Sequence, residues 1–192
     1  MIYIKTPAEI EKMRKSCRII GELLDALETI IRPGISTLEI DKFAEDFIGS
    51  RGGKPSFKGY RVDGLPPFPG SICASVNEQI VHGIPSAKKI LQDGDIIGID
   101  VGVVLDGYNG DAARTYRVGK ISAEAEELLQ VTKEALERGI SAAIPGNRVG
   151  DISYAIGSFV AFRGYYVADN LTGHGVGRNL HEEPQIPNTG KP

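Results

Sequence analysis

Apolar residues recur at three- and four-residue steps from Ile10 through Met13, Cys17, Ile20, Leu24 and Leu27 to Ile31. That period predicts a helix burying one face and ending before Pro33-Gly34. Thr6-Pro7-Ala8-Glu9 precedes it, a capping box with proline at the first helical position. A second capping box, Ser36-Thr37-Leu38-Glu39, opens a helix that buries Ile40, Phe43 and Phe47 and stops near Gly52-Gly53. Residues 54–70 are rich in glycine, proline and aromatics and predict a loop, and a structureless stretch of that length is often functional. Residues 71–76 and 79–82 read as short strands around Asn77-Glu78. Residues 96–105 are apolar and β-branched, Asp106-Gly107 is a two-residue turn, and residues 108–118 form the return strand of a hairpin.

The same plan returns 112 residues later. Pro33-Gly34 matches Pro145-Gly146, Ile40 matches Ile152, Phe47 matches Phe159, and Arg51-Gly52 matches Arg163-Gly164. The preceding helices align Cys17 with Leu129 and Leu24 with Leu136. Several matches at one offset predict a duplicated helix–turn–helix–sheet unit. The expectation is one domain over residues 1–192, with half-repeats of about 6–118 and about 119–192. Carrying the strands of the first half forward by the same offset takes the second half to about residue 230. The second half is therefore expected to be incomplete, short of about 38 residues of sheet beyond the loop-like end at Pro192.

If Asp106-Gly107 closes the hairpin, Leu105 faces Tyr108, Gly102 faces Asp111 and Asp100 faces Ala113. Asp100 and Asp111 then project on one side as diagonal neighbours, roughly 7–8 Å apart at the backbone. Ile97, Ile99, Val101, Val103 and Val104 make the first strand apolar on both faces, so a charge at Asp100 needs a partner. There are three histidines. His174 lies between Gly173 and Gly175, where the backbone can approach a ligand closely. One imidazole with two carboxylates suits a divalent transition metal rather than an oxygen-only magnesium or calcium site. Gly173-x-Gly175-x-Gly177 lacks the lysine and hydroxyl of a phosphate loop and does not fit the dinucleotide fingerprint. His82 and His181 suit hydrogen-bond donation or proton transfer near a metal-bound oxygen, and each equally suits a structural hydrogen bond.

Composition narrows the classes. A net charge of −3 and no polybasic block argue against nucleic acid and membrane surfaces as partners. Two cysteines cannot build a disulfide scaffold, and Cys17, on the apolar helix face, is expected to be a buried free thiol. Met1-Ile2-Tyr3-Ile4-Lys5 is not a signal peptide, and no apolar run is long enough to span a bilayer. A cytoplasmic protein is expected.

Four segments carry a family resemblance: Asn77-Glu78-Gln79-Ile80-Val81-His82-Gly83-Ile84-Pro85, Gly94-Asp95-Ile96-Ile97-Gly98-Ile99-Asp100-Val101, Gly110-Asp111-Ala112 and Gly173-His174-Gly175-Val176-Gly177-Arg178. With His181-Glu182-Glu183-Pro184-Gln185-Ile186-Pro187-Asn188, they resemble type I methionine aminopeptidase over essentially the whole chain. The Asp, Asp, His order is shared with prolidase and aminopeptidase P, which normally carry an extra N-terminal domain. The resemblance implies the pita-bread fold, an α/β (α+β) architecture of two pseudo-symmetric halves around a curved antiparallel sheet. It implies Asp100 as a bidentate ligand to one metal, Asp111 bridging two, and His174 on the other. His82 and His181 would flank the substrate, contacting its amide and the tetrahedral intermediate. Tyr60, Phe68 and Cys73 would wall the methionine pocket beside Phe57 and Leu180, although core packing also accounts for the aromatics.

Residues 61–67 read as an insertion against the family pattern, and Leu180 stands where many relatives carry an aromatic residue. The complete family enzyme holds two divalent ions (Co, Mn, Fe or Zn) on five protein ligands. The last two are glutamates on strands beyond Pro192. At most one weakly bound ion and impaired turnover are therefore expected of residues 1–192. The implied substrate is the N-terminal methionine of nascent polypeptides, with ribosome association, a monomeric enzyme and no direct nucleic-acid binding. A non-catalytic pita-bread peptide-binding module and a prolidase-like or aminopeptidase P-like enzyme are the other readings.

Overall fold

In the computed structural model, which describes all 192 residues, helix α1 (Pro7–Leu27) starts on the expected capping box. The Glu9 N–H donates to Thr6 Oγ1, and the Glu9 carboxylate accepts the Thr6 N–H. The buried face is turned from the expected one. Ser16, Ile19, Ile20, Leu23, Leu24 and Leu27 are buried, whereas Ile10 is 45% exposed. Cys17, expected inside, is exposed. Helix α1 passes close to Gly110, where a Cβ would stand 2.9 Å from Cys17 Sγ. Ser16 is buried beside it, donating from Oγ to the Tyr108 carbonyl at 2.7 Å.

Helix α2 (Thr37–Ser50) opens on the capping box at Ser36. Four strands follow: β1 (Lys54–Pro55), β2 (Cys73–Val76), β3 (Ile96–Leu105) and β4 (Tyr108–Arg117). All pairings are antiparallel and centre on β3, with β4 along one edge and β2 and β1 sharing the other. Ile97, Ile99, Val101 and Val103 are fully buried in one cluster with Ile20, Leu23, Leu27, Ile40 and Ile48 of the two helices. Fully burying each such side chain contributes about 1.5–3 kcal/mol. Residues 79–82 form no strand. Asn77 and His82 have φ of 55° and 58°, and backbone in that region cannot continue an extended ladder.

These elements form one compact unit, Ile4–Ser122 with Val176–Leu180. The other unit comprises Met1–Tyr3, Ala123–Gly175 and His181–Pro192. It holds α3 (Ala123–Ala142), α4 (Val149–Phe162) and the antiparallel pair β5 (Thr172–Gly175) and β6 (Glu182–Pro187). Both ends of α4 lie 112 residues beyond those of α2. The buried α3 residues Val131, Ala135 and Gly139 lie 112 beyond the buried Ile19, Leu23 and Leu27. The repeat is thus kept on a helix face one step from the predicted Cys17/Leu129 and Leu24/Leu136 pairing, with Leu136 exposed. No helix is long and apolar enough to cross a membrane.

A buried carboxylate fixes the approach to β2. Asp41 of α2 accepts the N–H groups of Ser71 and Ile72 at 2.7 and 3.0 Å, and burial pushes its carboxyl above the ordinary range against those two donors. Asp41→Ala would strand two buried N–H groups, so urea denaturation should show a loss of roughly 2–4 kcal/mol. Asp41→Asn keeps an acceptor and removes the buried charge, and should cost less than half as much.

Candidate active site

The hairpin adopts the register its turn dictates: Leu105 opposite Tyr108, Gly102 opposite Asp111, Asp100 opposite Ala113. Asp106 and Gly107 take φ of 52° and 78°, the double positive φ of a type I′ turn. Asp100 and Asp111 therefore share the sheet face opposite the apolar row of Ile97, Ile99, Val101 and Val103. That face is more open than expected, because Gly98 and Val104 are only half-buried. The two carboxyls hydrogen-bond to each other. Burial first, then the charge of Asp100 and that shared bond, push Asp111 well above the usual carboxylate range. Two adjacent carboxylates cannot both ionise cheaply, so the pair retains a proton that a bound cation would displace. As a donor set, two convergent hard oxygens fit a divalent metal.

Beside the pair lies an apolar cluster. Cys73 is the cross-strand partner of Asp100 and packs with Phe57, Leu180 and the partly buried Phe68. Gly102 makes room for this arrangement, since a Cβ there would stand 2.8 Å from the Phe57 ring. Burial, then the charges of Asp100 and Asp111, push the Cys73 thiol up to about 12. Tyr60, expected in the wall, is 38% exposed; its N–H donates to Phe57 O, and its carbonyl accepts from Phe68 N–H.

His82 sits on a loop strapped to β2. The Ala74 N–H donates to Gly83 O, and the Gly83 N–H donates to Ser75 Oγ. A Cβ at Gly83 would collide with the Ala74 carbonyl, so glycine is required next to the histidine. His82 is exposed.

In the other unit, His174 of β5 pairs with Gln185 of β6, and the register shifts at His174/Gly175. The His174 and His181 rings lie 4.3 Å apart between centroids, tilted by 48°. His174 Nδ1 is 2.9 Å from the Gly175 carbonyl. A carbonyl only accepts, so Nδ1 carries the proton and the ring lone pair resides on Nε2, the tautomer of a metal ligand. Asp100 meets Asp111, and His174 meets His181. No three His, Cys, Asp or Glu side chains converge as a metal-holding group.

Asn109 is a positioning residue that the sequence reading missed. Buried on the same face as Asp111, it donates from Nδ2 to the carbonyls of Gly177 and Arg178 at 3.1 Å, and its N–H donates to Gly177 O at 2.7 Å. These bonds seat Val176–Leu180, and with it Leu180 in the apolar cluster. An asparagine inside a strand, where it is disfavoured, was the available signal. Asn109→Ala should loosen this segment, seen as faster amide exchange over residues 176–180 with β3 and β4 still protected. The thiols give a second check: at pH 8 the native protein should react with a disulfide reagent at Cys17 and not at Cys73, and urea should release both. Equal native rates would contradict the burial of Cys73.

The sequence model of metallopeptidase family M24 matches residues 11–192. Methionine aminopeptidase 1 of Bacillus subtilis is 50% identical over 192 residues, covering 100% of this chain and 75% of that relative. The solved methionine aminopeptidase of Thermotoga maritima superposes with a TM-score of 0.95 at 43% identity, again over 100% of this chain and 75% of the other. The prolidase of Pyrococcus furiosus gives 0.84 at 27% identity, covering 98% of this chain and 53% of that one. The fold is the mixed α/β pita-bread architecture shared by these enzymes.

Proposed function

The chain belongs to metallopeptidase family M24 and, within it, to the methionine aminopeptidases; on that premise we propose that it hydrolyses the bond after the N-terminal methionine of newly made polypeptides, with divalent metal as cofactor. The observation that carries the reading is the hydrogen-bonded Asp100–Asp111 pair set directly beside the apolar cluster of Phe57, Phe68, Cys73 and Leu180. Carboxylate oxygens of a kind that suits a metal, next to apolar side chains of a kind that suits methionine, match the two halves of the reaction: chemistry and selection.

Asp100 and Asp111 are the oxygen ligands in this reading, and His174 is the nitrogen ligand, a role supported by its Nδ1–H bond to Gly175 O. At most one ion, weakly held, is proposed for these three donors, with Co, Mn, Fe or Zn all compatible with them. Bound divalent metal supplies Lewis acidity and makes water a usable nucleophile near neutral pH. The chain's own residues do the rest. The apolar cluster receives the methionine side chain, whose full burial contributes about 1.5–3 kcal/mol. His82, next to a Gly83 bonded twice to β2, donates to the substrate amide and steadies the negative charge that grows on the carbonyl oxygen. His181 assists, and either imidazole can pass a proton to the departing amine. Prolidase-like specificity is the weaker reading, with 27% identity against 50% for the aminopeptidase relative.

Calorimetric titration of Mn²⁺ should show binding to the wild-type chain and at least about tenfold weaker binding to Asp111→Ala. Turnover by the Mn²⁺-loaded chain should be weak and confined to Met-Ala-Ser, with Ala-Pro left intact. Equal metal affinity in the two proteins would remove Asp111 from the site, and cleavage of Ala-Pro alone would favour the prolidase reading.

A further inference from the structure

Two segments without regular structure each send a side chain into the apolar cluster beside the acid pair. Phe57 comes from the loop after β1, and Leu180 from Val176–Leu180. Both segments are tied to one carboxamide. Asn109 Oδ1 accepts from Ser56 Oγ at 2.7 Å, and Asn109 Nδ2 donates to the carbonyls of Gly177 and Arg178 at 3.1 Å each. Carbonyl oxygens only accept, so the amide has one orientation: its nitrogen faces Val176–Leu180 and its oxygen faces the Ser56 hydroxyl. Asn109 is 5% exposed, and both its Nδ2 protons and its Oδ1 are engaged. Ser56 directly precedes Phe57, and Arg178 lies two residues before Leu180.

The other polar ties on these segments are weaker or hold each one separately. Lys58 pairs with Glu45 at 2.6 Å and Arg178 with Glu9 at 3.4 Å, but the Lys58 side chain is 48% exposed and that of Arg178 70%. Ion pairs so open to water contribute little. Main-chain bonds, Ser56 N–H to Gly102 O at 2.9 Å and Asn109 N–H to Gly177 O at 2.7 Å, fasten each segment to the hairpin on its own. The Asn109 side chain is the buried polar link from one to the other. Resting on the aminopeptidase reading, we propose that Asn109 is a specificity-determining residue. As a positioning residue it sets the separation of Phe57 and Leu180, and so how closely the cluster fits the unbranched side chain of methionine. Leucine, branched and wider at Cγ, is rejected while both segments are held and is admitted once either arm is released.

Two variants cut one arm each. Asn109→Asp keeps an acceptor for Ser56 and sets a carboxylate oxygen against the Gly177 and Arg178 carbonyls. Ser56→Ala removes the hydroxyl and leaves Val176–Leu180 bonded. Dissociation constants are measured on the full chain in saturating Mn²⁺ for Met-Ala-Ser and Leu-Ala-Ser, each with a reduced bond in place of its first amide. Their ratio cancels any change in metal affinity. The wild type should bind the methionine peptide about tenfold more tightly, and in each variant the ratio should fall below about threefold. Hydrogen exchange adds a readout that a purely local bond would not move. In Ser56→Ala the amides of residues 176–180, bonded to Asn109 and not to Ser56, should exchange about fivefold faster, with β3 and β4 still protected. A wild-type ratio near one, a tenfold ratio that survives in either variant, or unchanged exchange over residues 176–180 overturns the proposal. Should Asn109→Asp fail to fold, Ser56→Ala carries both readouts. If the wild type binds neither peptide, the aminopeptidase reading fails and the specificity role falls with it. That result is distinct from equal binding of both peptides, which sinks the role of Asn109 alone.

Discussion

The pairing of β3 with β4 is the constraint on which the rest depends. Side chains alternate along a strand, so a slip of one residue would turn every position to the other face. Here such a slip would drive Asp100 or Asp111 into the layer that holds Ile97, Ile99, Val101 and Val103, all fully buried. The hydrophobic row and the carboxylate pair therefore defend the same register. The Asp106-Gly107 turn sets it locally, and the core holds it. One arrangement buries the apolar row against two helices and leaves two acids facing each other on the open side.

Around that hairpin, places where a side chain would not fit do much of the positioning. Gly110 lets α1 cross β4 at Ser16 and Cys17, Gly102 accepts the Phe57 ring, and Gly83 lets the His82 loop lie on β2. Two buried polar side chains then hold segments with no regular structure. Asp41 anchors the lead-in to β2, and Asn109 anchors Val176–Leu180. Each draws irregular backbone toward the open face, satisfying N–H or C=O groups that burial would otherwise leave costly. The site is thus built on a rigid ladder and furnished by loops tied to it.

The duplicated helices show how one local plan serves two settings. Arg51 lies over the Phe47 ring at 3.5 Å, and Arg163 lies over the Phe159 ring at 5.9 Å, the same contact at the same repeat positions. Both arginines cap their helices. The sheets that follow differ: the first pair leads into strands centred on β3, and the second into the β5–β6 pair that carries His174.

Features governed by neighbours in sequence were legible without coordinates. The two capping boxes, the turn-defined hairpin register, the shared face of Asp100 and Asp111, and the 112-residue offset all rest on short-range geometry or on period. Contacts between distant segments decided the rest. Helix α1 was expected to bury Cys17 and instead buries Ser16, Ile19 and Leu23, because packing depends on what lies opposite and not on the helix alone. His82 was expected to follow a strand and instead sits at positive φ, next to a Gly83 bonded to β2. Asn109 looked like an ordinary strand residue until the segment from 176 to 180 came to rest on it. Periodicity and turn chemistry determine which elements form and which way their side chains alternate. Only tertiary packing decides which surfaces meet, because that energy comes from partners far apart along the chain.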